Sequence, residues 1–181
     1  MELGNQALVL PALKRFARAT HEGHAAESIW CELERTLTDV FGQRLFTVLA
    51  YDEASNRLGR LHSNRPDINP VGGMKRVTHS RWTEQVLRRG EIFLGSTREA
   101  IKAVFSEYEV LWSIGCESVL NIPVRKGSIT LGTLNLLGEA GLYDGADVDL
   151  ALVFAQLAVT TLEASVRKLQ QFGEPDRMEQ V

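Results

Sequence analysis

Between Ser118 and Leu137 the chain reads SVLNIPVRKGSITLGTLNLL, two runs rich in Val, Ile, Leu and Thr around the polar break Arg125-Lys126-Gly127. That pattern predicts a β-hairpin. With a turn of even length Val124 opposes Ile129, and alternation sorts the side chains into two faces. One face carries Ser118, Leu120, Ile122, Ile129, Leu131, Thr133 and Asn135; the other carries Val119, Asn121, Pro123, Thr130, Gly132, Leu134 and Leu136. Neither face is polar enough to meet water, so the hairpin is expected at the centre of a sheet covered on both sides. Each face holds one asparagine, which needs a partner if buried.

The remaining segments supply those covers. From His24 to Phe41 apolar residues recur at Ala26, Ile29, Trp30, Leu33, Leu37 and Val40, the spacing of a helix with one buried stripe. Gly42 stops it, and Cys31 lies beside the stripe as a partly buried structural thiol. Arg44 to Tyr51 and Arg57 to Ser63 read as strands joined by turn residues. Asn64 to Met74, with Pro66, Pro70, Gly72 and Gly73, reads as a loop. A helix capped by Thr78 or Ser80 and ended by Gly90 follows, then Ile92-Phe93-Leu94 as a short edge strand. Ser96…Glu99 and Ser106…Glu109 form capping boxes that predict two short helices. Asp144 is expected to cap a final helix from Ala146 to Gln170, apolar almost all round and therefore in need of more than one partner surface.

The expected division is an N-terminal arm over residues 1–22, one domain over 23–170 and a charged tail over 171–181. The fold class is α+β: an antiparallel sheet of five or six strands, terminal helices on one face, short helices and loops on the other.

Composition narrows the chemistry. The 181 residues carry a net charge of −3, which gives no reason to expect nucleic acid or an anionic membrane as partner. The apolar stretch near Leu150 to Val159 is too short to span a bilayer, and no leader pattern opens the chain. Two cysteines without a metal-binding spacing point to free thiols in the cytoplasm. No Gly-rich phosphate loop, HExxH or nucleophile elbow is present. Trp82, Trp112, Phe93 and Phe105 are candidates for a cavity wall or for plain core. Cys116, after a glycine at the start of the hairpin, is either a buried inert thiol or a cavity contact.

The order of elements, with Ser118-Val-Leu-Asn-Ile-Pro123-Val, Gly132-Thr-Leu-Asn-Leu, Tyr143 and the Ala/Leu-rich last helix, resembles a GAF domain over residues 24–170. The resemblance implies a small-molecule cavity between the sheet and the short helices, and a homodimer through the helices at 24–41 and 146–170. Cyclic-nucleotide-binding members place a hydroxyl residue where Cys116 stands and an acid where Asn135 stands, with further contacts near Thr47 and near His62 or Ser63. The neutral Asn135 departs from that pattern. Bilin-binding members use a cysteine and haem-binding members a histidine, for which Cys116 and His62 are the available residues. Free methionine sulfoxide reductases are the enzyme of similar build, but the spacing of Cys31 and Cys116 differs from theirs. The expected ligand contacts are therefore Thr47, His62, Ser63, Trp112, Cys116, Ser118, Leu120 and Asn135. The chain is expected to be a non-enzymatic sensor with an unidentified ligand and no resident cofactor or metal. A ligand-free dimerisation module is the alternative.

Overall fold

The hairpin forms, but its faces are sorted differently. In the computed structural model, which describes residues 3–171 and 179–180, β5 (Ser118–Lys126) and β6 (Ile129–Gly138) are joined by the two-residue turn Gly127-Ser128. Lys126 opposes Ile129 and Arg125 opposes Thr130; the register then shifts, and Val124 opposes Gly132. Leu131 is the extra residue of a β-bulge. The turn is even, as expected, yet the bulge inverts every pairing beyond it. Leu120 now opposes Leu136, and Asn121 opposes Asn135. The two asparagines share one face, which corrects the expected pairing of Asn135 with Ser118.

The sheet runs β4-β5-β6-β1-β2-β3, with β1 (Leu45–Asp52), β2 (Arg57–Ser63), β3 (Met74–Arg76) and β4 (Phe93–Gly95). All these neighbours are antiparallel, and β7 (Glu179–Gln180) lies parallel to β3. A second irregularity falls between β1 and β2, where Val48 pairs with His62 but Leu49 with Arg60. It leaves Leu61 as the extra residue and brings Arg60 onto the face of Leu49.

One face of the sheet is apolar. Phe46, Val48, Leu120, Ile122, Leu134 and Leu136 pack there against α2 (Ala26–Phe41) and α5 (Val148–Gln171). From α2 come Ile29, Leu33 and Leu37, and from α5 come Ala151, Phe154, Ala158 and Leu162. Fully burying such side chains contributes about 1.5–3 kcal/mol each, which makes this layer the main source of stability. The first residues are not an arm. α1 (Leu3–His21) is a full helix through Pro11; its Ala12 and Phe16 are fully buried in the same core. Arg15 clamps it to α2 through Glu32 and Asp39, at 3.1 and 2.6 Å. Of the expected tail, residues 172–178 and 181 lie outside the described residues.

α5 is longer than its apolar run suggested, and over Val148–Lys168 it has the length and composition to cross a membrane, with a mean hydropathy of 1.4. Its buried stripe, with Ala151, Phe154, Ala158 and Leu162, packs against the sheet and α1. Asp147 rather than Asp144 caps it, Oδ1 accepting from the Leu150 N–H at 3.0 Å. Leu152 and Val153 remain 37 % and 45 % exposed on its outer side. Cys31 is exposed on α2, not partly buried.

The opposite face is covered by a π-helical segment (Thr83–Arg88), α3 (Arg98–Val104) and α4 (Tyr108–Ser113). The two short helices begin one residue later than the serine boxes implied: Thr97 caps α3, and Glu107 precedes α4.

Gly132 is where the bulged strand comes closest to β1. A Cβ there would sit 2.0 Å from the Leu49 carbonyl oxygen. Gly132→Ala should therefore cost about 3 kcal/mol or more by forcing backbone apart, read as a fall in the urea midpoint; a change below about 1 kcal/mol would contradict this reading of the bulge.

Candidate functional site

Because both irregularities act on the same face, the side chains under the cover are more polar than simple alternation allows. They border a cavity of about 140 Å³ between the sheet and the short helices. Leu45 and Leu49 of β1, Leu58 of β2 and Leu137 of β6 form its floor; Trp82, Phe105 and Leu111 close it from above. Thr47, Arg60, Asn69, Lys75, Glu107 and Asn135 bring polar atoms to this lining.

A hydrogen-bond chain with one direction runs beneath the cavity. Trp82 Nε1 donates to Asn121 Oδ1 at 2.9 Å, and Asn121 Nδ2 donates to Asn135 Oδ1 at 2.8 Å. Asn135 Nδ2 donates to Thr47 Oγ1 at 3.2 Å. All four side chains are buried. The chain therefore answers how two buried asparagines are satisfied: each serves the other, and Trp82 ties them to the cover. It also pins the tryptophan that roofs the cavity to the central hairpin.

Two further contacts frame the cavity. Lys75 Nζ on β3 bonds Glu107 Oε1 at 3.2 Å, joining the far strand of the sheet to the start of α4. Burial alone would raise the Glu107 pKa; the charge of Lys75, the Glu107 backbone N–H and the Ser106 hydroxyl outweigh it and leave the carboxyl below its ordinary value. The ion pair is thus complete at neutral pH, and its contribution is lost only as acid takes the carboxyl through that lowered value. On the other side, Arg60 Nη1 donates to the Pro70 carbonyl at 3.2 Å and holds the 64–74 loop against β2. That loop carries Asn69, which is 7 % exposed and lines the cavity. The Asn69 side chain makes no hydrogen bond to any described residue.

Of the contacts expected from sequence, Thr47 and Asn135 line the cavity and the other six do not. Leu120 points into the helix-side core because of the bulge. Ser118 is turned the same way, its hydroxyl donating to the Glu139 carbonyl at 2.6 Å. His62 faces α2, with Nε2 2.7 Å from Glu34 Oε2. Ser63 accepts from the Arg65 N–H and is occupied by its own loop. Trp112 packs tilted against Tyr108, ring centroids 4.8 Å apart, with Arg98 over its ring, while its neighbour Leu111 reaches the cavity instead.

Cys116 lies behind the wall, fully buried among Leu45, Ile101, Leu111, Val119 and Leu137. Burial pushes its thiol up to about 11, outweighing the opposing charges of Arg44 and Arg65. It is a thiol, not a thiolate, at neutral pH. Arg60, Asn69, Lys75 and Glu107 were not anticipated. Their only signal was position: a charged residue inside a return strand, and an Asn between two prolines of an ordered loop.

Replacing Asn121 with Leu leaves the Trp82 N–H and the Asn135 carbonyl oxygen without partners. The expected cost is about 2–4 kcal/mol in equilibrium unfolding, with a red shift of tryptophan emission as Trp82 loosens. A neutral effect would show that the chain does not organise the site.

No family model matches the sequence, and no curated protein matches it either. Solved structures do. The GAF domain of an Acinetobacter phosphoenolpyruvate-protein phosphotransferase superposes with a TM-score of 0.69 at 14 % identity, covering 91 % of this chain and 98 % of that one. The nlh2 GAF domain of A. aeolicus, captured in an inactive state, gives 0.67 at 12 % identity, with 89 % and 99 % covered. A free methionine-R-sulfoxide reductase of Neisseria meningitidis in complex with its substrate gives 0.62 at 13 % identity, with 90 % and 92 % covered. At such identities the likeness speaks for the fold, and it agrees with the observed strand order and cover: the chain has the GAF-domain fold.

Proposed function

We propose that this chain is a small-molecule-binding regulatory domain that works as a homodimer, with its ligand in the cavity under α3 and α4. The observation that carries the reading is Asn69: a buried amide lining a cavity, without a hydrogen bond to any described residue. Its amide atoms are not sealed off but open onto the cavity, where a ligand can take their hydrogen bonds in place of water. The similar folds include a GAF domain from a phosphotransferase and one captured in an inactive state, which favours regulation over catalysis.

The reductase of the same fold supplies the rival reading. A thiol mechanism needs a reactive thiolate and a second thiol within reach. Here Cys116 is buried with a raised pKa, and Cys31 is exposed on α2 across the sheet. Those two features weigh against reductase chemistry. The ligand-free module is disfavoured by Asn69 and by the polar chain under the cavity, neither of which a dimerisation surface requires.

For the dimer, α5 and α1 are better suited than α2. Leu152 and Val153 on α5 and Leu8 and Leu10 on α1 are exposed apolar side chains, whereas the outer side of α2 shows Glu27, Cys31, Arg35 and Thr38 to solvent. A signal would leave through this helix layer, which touches the cavity strands from behind.

Native mass spectrometry of the purified chain reads both parts of the proposal. The expected spectrum is a dimer carrying a small non-covalent mass that is lost on activation. A monomer with no adduct from any expression condition would contradict it.

A further inference from the structure

We propose that the cavity takes a small neutral amide, a primary carboxamide or a lactam on a compact apolar body of about six to eight heavy atoms. The inference rests on the small-molecule reading above and names its ligand class.

Most polar side chains at the lining already have partners within the protein. Glu107 Oε1 accepts from Lys75 Nζ at 3.2 Å, and Oε2 accepts from the Ser106 hydroxyl at 3.0 Å. Arg60 Nη1 donates to the Pro70 carbonyl at 3.2 Å, and Arg60 takes part in a further interaction. Asn135 accepts from Asn121 and donates to Thr47, so both ends of its amide are used. Two neutral groups are left. The buried Asn69 carboxamide opens onto the cavity and makes no hydrogen bond to any described residue. Thr47 Oγ1 serves Asn135 as acceptor, which leaves its own hydrogen to donate, and no described residue receives it.

A carboxamide in that position sets a specific demand, because it presents an N–H donor and a carbonyl acceptor side by side. Another amide answers both at once. In a primary carboxamide or a lactam the carbonyl and an N–H share one edge, and the pair forms two parallel hydrogen bonds in opposite directions. A ketone answers only the Asn69 N–H and sets carbon against the Asn69 carbonyl. A carboxylate answers the N–H with one oxygen and turns its other oxygen, also an acceptor, towards that carbonyl. The Thr47 hydrogen adds one more donor, which suits a second lone pair on the ligand.

Size and the remaining walls set the rest. The volume, about 140 Å³, is close to that of an apolar protein cavity, roughly 150 Å³, that holds benzene. It is well below the ~300–1,000 Å³ of sites for drug-sized ligands. Leu49, Leu58, Trp82 and Phe105 give the cavity apolar walls. An ion sheds its hydration at high cost against such walls, whereas an amide gives up hydrogen bonds to water and regains them from Asn69. The amide edge therefore carries a short apolar body.

The test is calorimetric titration and thermal shift of the purified chain with matched probes. Butanamide, 3-methylbutanamide and δ-valerolactam are each set beside the ketone of the same shape: 2-pentanone, 4-methyl-2-pentanone and cyclohexanone. Butanoate and 3-methylbutanoate supply the anionic counterparts. The expected result is binding of at least one amide, with its ketone and its acid weaker by about tenfold or more. Asn69→Leu, close in size, should weaken that amide by about tenfold and abolish its advantage over the ketone. Arg98→Gln, on the outside of α3, should leave both unchanged. Ketones or acids that bind as tightly as the amides overturn the assignment, as does an amide preference that survives in Asn69→Leu; the small-molecule reading then stands with another ligand class. If no probe binds at about 10 mM, the assignment falls; an empty dimer in the mass spectrum would then remove the binding reading as well.

Discussion

One extra residue in β6 governs the chemistry of this domain. Leu131 has no partner on β5, so the pairing of the hairpin shifts by one and each strand presents a different set of side chains to each layer. Period-two alternation makes such a shift all-or-none: it moves a whole set of residues between faces. Here it sends Leu120, Ile122, Leu134 and Leu136 to the helices and both buried asparagines to the cavity. Without the bulge each asparagine would stand alone on its face, and the helix-side core would have to bury one amide without its natural partner.

The separation of tasks between the two faces follows. The helix side is almost purely apolar, and α1, α2 and α5 close on it as a continuous core. The cavity side has a smaller apolar cluster around Ile101, Leu111 and Val119 and another around Trp82 and Val86. Polar links tie these to the sheet: the Trp82-Asn121-Asn135-Thr47 chain and the Lys75–Glu107 pair. A cover held by a few directional bonds is easier to displace than a packed core, because each bond contributes only about 0.5–1.5 kcal/mol net. That is the property a ligand-responsive element needs. His62, bonded to Glu34 of α2, connects the same β2 strand that carries Arg60 to the helix layer behind it.

Much of this was legible from residue order, and the failures have particular causes. Strands β1, β2, β5 and β6, helix α2, the edge strand near Phe93 and the cover helices follow from periodicity and turn residues. α1 reads as an arm in the sequence because Pro11 interrupts its apolar patch, although Ala12, Phe16 and Ala19 stand at helical spacing. Of the site, Thr47 and Asn135 were anticipated through a family likeness, while Ser118 and Leu120 were placed on the wrong side by assuming an unbroken ladder. The bulge did leave a trace, since Gly132 inside an otherwise β-branched and leucine-rich run is a residue that marks bulges and close backbone approach. Arg60 and Asn69 left less, because a second irregularity at Leu61 and the path of the 64–74 loop decide where they point.

The central claim is that Asn121 and Asn135 face each other on the cavity side, and side-chain amide NMR reads it directly. With asparagine-labelled protein, the account expects nuclear Overhauser contacts between the Asn121 and Asn135 amide protons, and between Asn121 and the Trp82 indole N–H. Contacts from Asn135 to Ser118 instead, with Asn121 among the protons of α2 or α5, would contradict it.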